Sequence, residues 1–177
     1  FALSSDYDAS DKATQMFFVY FQNKILYTVT KQTAAEIIIQ RANENKPNMA
    51  LTSWKGSVVR KQDIYIAKNY LNEDELDSLN RFVVVFLETA ELRAKNRQDI
   101  TMYFWHENID RIIQFNDKPI LDHKGTISHA QMEELVGGVY EKFDALRKSL
   151  DAQKADEDEI EELKQIAQNL KPGEPKE

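Results

Sequence analysis

The chain has 177 residues, of which 42% are hydrophobic and 30% charged, and its 23 basic and 30 acidic side chains give a formal net charge of −7. That length buries roughly 70% of the unfolded surface, enough for one self-sufficient core, and the composition excludes a disordered acidic tail and a membrane protein. The absence of cysteine removes disulfide scaffolds, thiolate metal sites and cysteine nucleophiles, and five glycines with four prolines are too few for a turn-rich β-sandwich or barrel.

The first residue is Phe1 rather than Met, which points to a fragment of a longer chain, and no signal-peptide pattern opens the sequence. The first helix is predicted from about Asp11 to Val29. Its run Met16-Phe-Phe-Val-Tyr-Phe21 is apolar on every side, the mark of a buried helix, and falls far short of the ~20 residues that a membrane span needs. Thr33-Ala-Ala-Glu36 reads as a capping box opening a short helix through Ala42. From Asn43 to Gln62 the periodicity collapses into a long irregular loop containing Pro47, Trp54 and Gly56, of the kind that is functional or flexible.

A helix is predicted from Asp63 to Tyr70. Asn72 with Glu75 then caps a long helix to about Lys95, whose core stripe is Leu76, Leu79, Val83, Phe86, Leu87 and Ala90. Met102, Trp105, Ile109, Ile112 and Ile113 mark the next helix, started by Asp99 or Thr101. After a loop from Asp117 to Gly125, Ser128 with Gln131 forms a third capping box. The helix behind it places Met132, Val136, Val139, Phe143, Leu146 and Leu150 in a seven-residue repeat, the seam of a coiled coil or close helix pair. Gln153 and Glu157 interrupt the seam, and Ile160, Leu163, Ala167 and Leu170 restart an apolar stripe, so the end of the chain reads as one long helix or a helical hairpin. The Lys171–Glu177 tail is expected to be disordered. The prediction is an all-α protein of about seven helices, with a helical core domain over 1–150 and an acidic C-terminal helix and tail over 151–177.

Charge is uneven along this plan. Residues 151–177 carry nine acids against four bases, a net of −5, whereas Arg41 to Lys68 carries six bases against Glu44 and Asp63, a net of +4. Within the basic stretch Lys46, Lys55, Arg60 and Lys61 surround Trp54, so the loop could clamp a phosphate or carboxylate while the indole stacks on a base or ring. Equally, Trp54 could plug the core while the bases stay in water. Two of three histidines, His123 and His129, lie close in sequence and are the candidate acid–base or anion-binding pair. Asp122, His123 and His129 lack any matched metal-ligand spacing, so no metal is expected. His106 reads as a core-edge histidine. No phosphate-binding GxxxxGK[ST], GxGxxG or GxSxG motif is present, and no cofactor is expected.

Several segments together carry a resemblance: Asp6-Tyr-Asp8, Gln22-Asn-Lys24, Thr33-Ala-Ala-Glu-Ile37, Lys46-Pro-Asn-Met49, Trp54-Lys-Gly56, Val59-Arg-Lys61, Ile66-Ala-Lys-Asn-Tyr-Leu71 and Ile127-Ser-His129. In this order, over roughly Tyr7 to Tyr140, the chain resembles the bacterial virulence protein RhuM family, and looks like the helical C-terminal half of its members. The resemblance implies a cytoplasmic protein of mobile or pathogenicity islands, attached to an N-terminal DNA-binding region absent from this chain. It supplies no reaction. Some relatives are grouped with nucleotide-transferring toxins, whose HPFx[DE]GN signature does not occur here. The family pattern also commonly places a histidine at the position of Leu26.

Two functional readings follow. One is a non-catalytic oligomerisation or regulatory module that forms homo-oligomers through the Met132–Leu150 seam and leaves DNA to the attached region. The other is a toxin-like enzyme acting on a nucleotide or nucleic acid, in which Trp54, Lys55, Arg60 and Lys61 hold the substrate and His123 or His129 moves protons. The second requires all of these in one pocket. Direct DNA binding by this chain ranks last, because a net charge of −7 repels a polyanion. The sequence names no small-molecule ligand.

Overall fold

The computed structural model describes residues 4–169, with side chains described as far as Ile166. The side chains of Ala167 and Leu170, the tail and Phe1 lie outside the described residues. The protein is all-α as predicted, built from α1 (Lys12–Thr30), α2 (Ala34–Arg41), α3 (Glu73–Lys95), α4 (Met102–Phe115) and α5 (His129–Asn169), with 3-10 turns at Pro47–Ala50, Asp63–Tyr65 and Ala67–Tyr70. Among the described residues no helix is long and apolar enough to cross a membrane.

Two elements differ from the prediction of about seven helices. The predicted helix from Asp63 to Tyr70 is a pair of 3-10 turns broken at Ile66, whose backbone is extended (φ −103°, ψ 104°). Buried Asp63 holds the start of this pair by accepting from the Arg60 amide at 2.9 Å. At the other end, of the two expected alternatives, one long helix or a hairpin, the chain takes the long helix, 41 residues in all. Gln153 and Glu157 interrupt its apolar seam without interrupting its backbone, because both are good helix formers.

The caps are set locally. The Asn72 side chain accepts from the Glu75 amide at 2.9 Å while Glu75 accepts from the Asn72 amide at 3.0 Å. Ser128 and Gln131 do the same at the start of α5, and Thr101 accepts from the Phe104 amide at 3.0 Å to open α4. Each such cap stabilises its helix by about 1 kcal/mol. Glu75 is also gripped in bidentate fashion by Arg41 at 2.6 and 2.7 Å, and Arg41 donates further to the Tyr70 carbonyl at 2.8 Å. This fork ties the end of α2 to the start of α3.

Packing forms two apolar clusters. In the first, Ile37 and Ile38 of α2 meet Leu26, Met49, Leu51, Val59, Ile64, Tyr70 and Leu71, and α5 contributes Met132, Val136 and Phe143. In the second, Phe82, Phe86 and Ala90 of α3 meet Trp105, Ile109 and Ile113 of α4, with Ile25 and Ile100. The irregular loop is thus part of the core rather than a loose connection. Its Met49 is fully buried, and Thr52 bonds the Asn69 and Leu71 carbonyls at 2.7 Å each through its amide and hydroxyl. Burial of Met49 holds three consecutive non-glycine residues, Asn48, Met49 and Ala50, at φ 53°, 58° and 65°, a conformation that costs roughly 1–2 kcal/mol per residue.

Two predicted faces are rotated or partial. α1 is not buried all round: Met16 is 64% exposed and Val19 59%, and burial is confined to Thr14 and the second half from Lys24 to Thr28. On α3 the buried stripe is Phe82, Phe86 and Ala90, and Val83 and Leu87 face outward. Phenylalanine brings more apolar area than valine or leucine, so the helix turns to bury both aromatic rings.

Candidate functional site

α1, α2 and the loop before α5 converge on an open groove of about 530 Å³ lined by Tyr27, Lys31, Gln32, Glu36, Ile39, Gln40, His123, Thr126 and Ile127. At its base Glu36 accepts from the Thr33 amide at 2.8 Å, as the predicted cap requires, and through its other oxygen from the amide and hydroxyl of Thr126 at 2.8 and 2.7 Å. The carboxylate thereby joins two motifs, Thr33-Ala-Ala-Glu36 and Thr126-Ile-Ser-His129, that are about ninety positions apart in the chain. Gly125 makes the approach possible: it has φ +82°, and a Cβ there would lie 2.9 Å from the Thr33 methyl.

Burial raises the Glu36 pKa, but the hydrogen bonds from Thr126 and Thr33 outweigh it and hold the carboxyl down at about 2, against 4.5 for a free one. A folded-state pKa below the unfolded one stabilises the protein above pH 4.5 and ceases to do so as the pH falls toward 2. Glu36→Gln should therefore lose about 1 kcal/mol at pH 7, the shift being discounted because water reaches the carboxyl, and show a smaller loss of stability on acidification than the parent. Urea melts of both proteins at pH 7 and pH 3 test this, and equal pH dependence in the two would refute it.

His123 stands on the groove wall. Its Nδ1 accepts from the Gly125 amide at 3.0 Å, and its ring meets Tyr27 edge-on at 5.5 Å. With Nδ1 occupied as an acceptor, the neutral ring carries its proton on Nε2 and presents a donor. The groove therefore offers donors (His123 Nε2–H and the Lys31 ammonium) and a carboxylate whose oxygens are already engaged. That suits holding a polar group better than abstracting a proton.

The other predicted site residues lie elsewhere. His129 is exposed at the start of α5, with Nε2 3.2 Å from Glu133 one turn on, and is not part of the groove lining. Trp54 is half-buried and packs against the first cluster, so the core-plug alternative describes it. Lys46, Lys55, Arg60 and Lys61 are exposed, Lys61 lying 3.9 Å from Glu141 of α5. None of these five residues lines the groove with His123. Leu26 is buried in the first cluster. His106 is not a core-edge residue: its side chain is exposed and stacks on Tyr20 at 6.0 Å. Among the described residues no group of three or more His, Asp or Glu converges as metal ligands. Sequence reasoning missed Tyr27, Lys31, Gln32 and Gln40. Gln32, Glu36 and Gln40 recur every four residues opposite Ile37 and Ile38, a polar stripe that was available as a signal.

The predicted seam splits into two parts. Met132, Val136 and Phe143 are buried and Val139 partly so, all against the protein's own first cluster. Leu146 is 47% exposed and Leu150 64%, and Ile160, Leu163 and Ile166 beyond them are also exposed. The first half of α5 packs on α2 and the Asp63–Tyr65 turn. Its later turns thus carry apolar side chains that the described residues do not cover.

Comparison of the sequence with curated proteins and with solved structures gives no match. The family model of the virulence protein RhuM family matches residues 1–151. That span holds both clusters, the groove and the packed half of α5, and the chain belongs to the virulence protein RhuM family.

Proposed function

We propose that this chain is a non-catalytic self-association module of a RhuM-family protein, and that a second copy covers the distal half of α5. The observation that carries the reading is the set Leu146, Leu150, Ile160 and Leu163, each close to half exposed or more along one helix. A single exposed leucine needs no explanation, but two exposed apolar clusters on one helix, Leu146 with Leu150 and Ile160 with Leu163, mark an interaction surface. The dispersal of the basic loop, His123 and His129 over separate surfaces supports the same reading, because a reacting centre requires its groups within a few ångströms of one another. In this proposal the module brings copies of an attached DNA-binding region together in the cytoplasm, and DNA is left to that region.

The test is absolute mass by light scattering across a concentration series, for the parent and for the double variant Leu150→Asp/Leu163→Asp. We expect a concentration-dependent dimer for the parent. In the variant the dissociation constant should rise by at least about 100-fold, since each lost apolar contact is worth roughly 1.5–3 kcal/mol. Helix content should be unchanged, because both residues are exposed. A parent that is monomeric throughout, or a dimer indifferent to the two aspartates, overturns the proposal.

A further inference from the structure

The distal half of α5 is electrically lopsided in a way that fixes how a second copy would lie on it. Residues 142–154 contain Lys142, Arg147, Lys148 and Lys154 against Asp144 and Asp151, a net of +2. Residues 155–166 contain six acids, Asp156, Glu157, Asp158, Glu159, Glu161 and Glu162, against Lys164 alone, a net of −5. Two such helices side by side in parallel would set −5 against −5, with Glu157 facing Glu157 of the partner subunit across the seam. Reversing one helix sets +2 against −5 instead, and electrostatic complementarity of this kind selects orientation and register.

The apolar positions accommodate the same arrangement. The stripe is a pair of clusters, Leu146 with Leu150 and Ile160 with Leu163, separated by Gln153 and Glu157. In one antiparallel register each cluster of one chain meets the other cluster of its partner: Leu150 lies opposite Ile160 of the partner subunit and Leu146 beside Leu163 of the partner subunit. The polar interruption then falls on itself, with the Gln153 amide able to donate to Glu157 of the partner subunit. A polar pair buried at one seam position specifies register at the expense of stability. Arg147 and Lys148 lie beside Glu161 and Glu162 of the partner subunit in this register.

We infer that the chain forms an antiparallel dimer through the distal half of α5, with Leu150 opposite Ile160 of the partner subunit. The inference rests on the self-association reading and adds orientation and register to it. Residues 152–166 lie beyond the residues matched to the family, so this contact is assigned to this chain and not to the family at large.

The natural absence of cysteine makes the test direct. Leu150→Cys and Ile160→Cys are prepared separately in the 177-residue chain, and each alone and an equimolar mixture are equilibrated in a thiol–disulfide buffer. In the antiparallel register only the mixture forms a disulfide-linked dimer. Like residues are then ten positions apart, about 15 Å along the helix, beyond the ~7 Å Cα separation a disulfide spans. In a parallel dimer each variant links to itself and the mixture gains nothing. Both substitutions are at exposed sites, and light scattering of the reduced variants confirms that association persists. Self-linked products, or no linkage while the reduced proteins remain dimeric, overturn the antiparallel register but leave self-association standing. A parent monomeric at every concentration overturns both.

Discussion

Val136→Asp should leave no stably folded protein. Val136 is 1% exposed and sits between Met132 and Phe143 in the first cluster, against Ile37 and Ile38 of α2. A carboxylate there would enter a cluster with no cation among its members, and an uncompensated buried charge costs several kcal/mol. Net stabilities of single domains are about 5–15 kcal/mol, so the expected loss of more than about 4 kcal/mol consumes most of the margin. The same change at Leu150, 64% exposed on the same helix, should leave the thermal midpoint within a few degrees of the parent in dilute solution. Thermal melts followed by circular dichroism distinguish the two, and a cooperative melt of Val136→Asp near the parent's midpoint would mean that the first half of α5 is not part of the core.

Asp110→Ala should destabilise more than Lys24→Met. Lys24 is 2% exposed in the middle of α1, its ammonium 2.5 Å from Asp110 of α4 and 4.8 Å from the Tyr20 ring centre. The Asp110 side chain keeps 41% of its surface in contact with water. Removing the aspartate strands a buried cation, an expected cost of about 3 kcal/mol. Removing the lysine leaves a carboxylate that solvent can still reach and a methionine of similar length in the cleft, an expected change of about 1 kcal/mol or less. Burial pushes the Lys24 ammonium down, but its bonds to Asp110 and Tyr20 hold it above the usual 10.5. A folded-state pKa above the unfolded one means that the pair stabilises fully below about pH 10.5 and is lost only as the pH climbs through the folded value. Urea titrations of the two variants at pH 7 test the asymmetry. Equal losses would indicate that the pair interaction itself, and not the stranding of a buried cation, sets the cost.

What could be read from the sequence was mostly local. The starts of α3, α4 and α5 were legible because a cap is made by residues three apart, as at Asn72 with Glu75 and Ser128 with Gln131. The rotation of α3 was not, because choosing Phe82 over Val83 depends on Phe21 and Trp105 packing against Phe86 from other helices. The Met132–Leu150 seam was correctly spaced but is two surfaces, since periodicity shows that a stripe wants covering and not what covers it. The groove showed in the sequence only as the polar stripe Gln32, Glu36 and Gln40. Glu36 was recognised as a cap, but its second partner, Thr126, is brought beside it only by tertiary folding. The basic loop illustrates the opposite error: its charges are conspicuous in sequence, yet Met49, Leu51 and Val59 between them are what the fold uses.

The neighbours Ile25 and Leu26 in α1 are assigned to different apolar clusters, the first to the α3–α4 side and the second to the α2–α5 side. One turn of one helix is therefore the party wall of two rooms, and neither room can be dismantled while the other keeps that wall straight. Local openings at the rim, such as the early turns of α1 or the far end of α5, can occur without disturbing it. The amides around Ile25 and Leu26, by contrast, are expected to exchange with solvent only when the whole molecule opens, because this short stretch, together with Leu79 of α3, joins the two clusters into one cooperative unit.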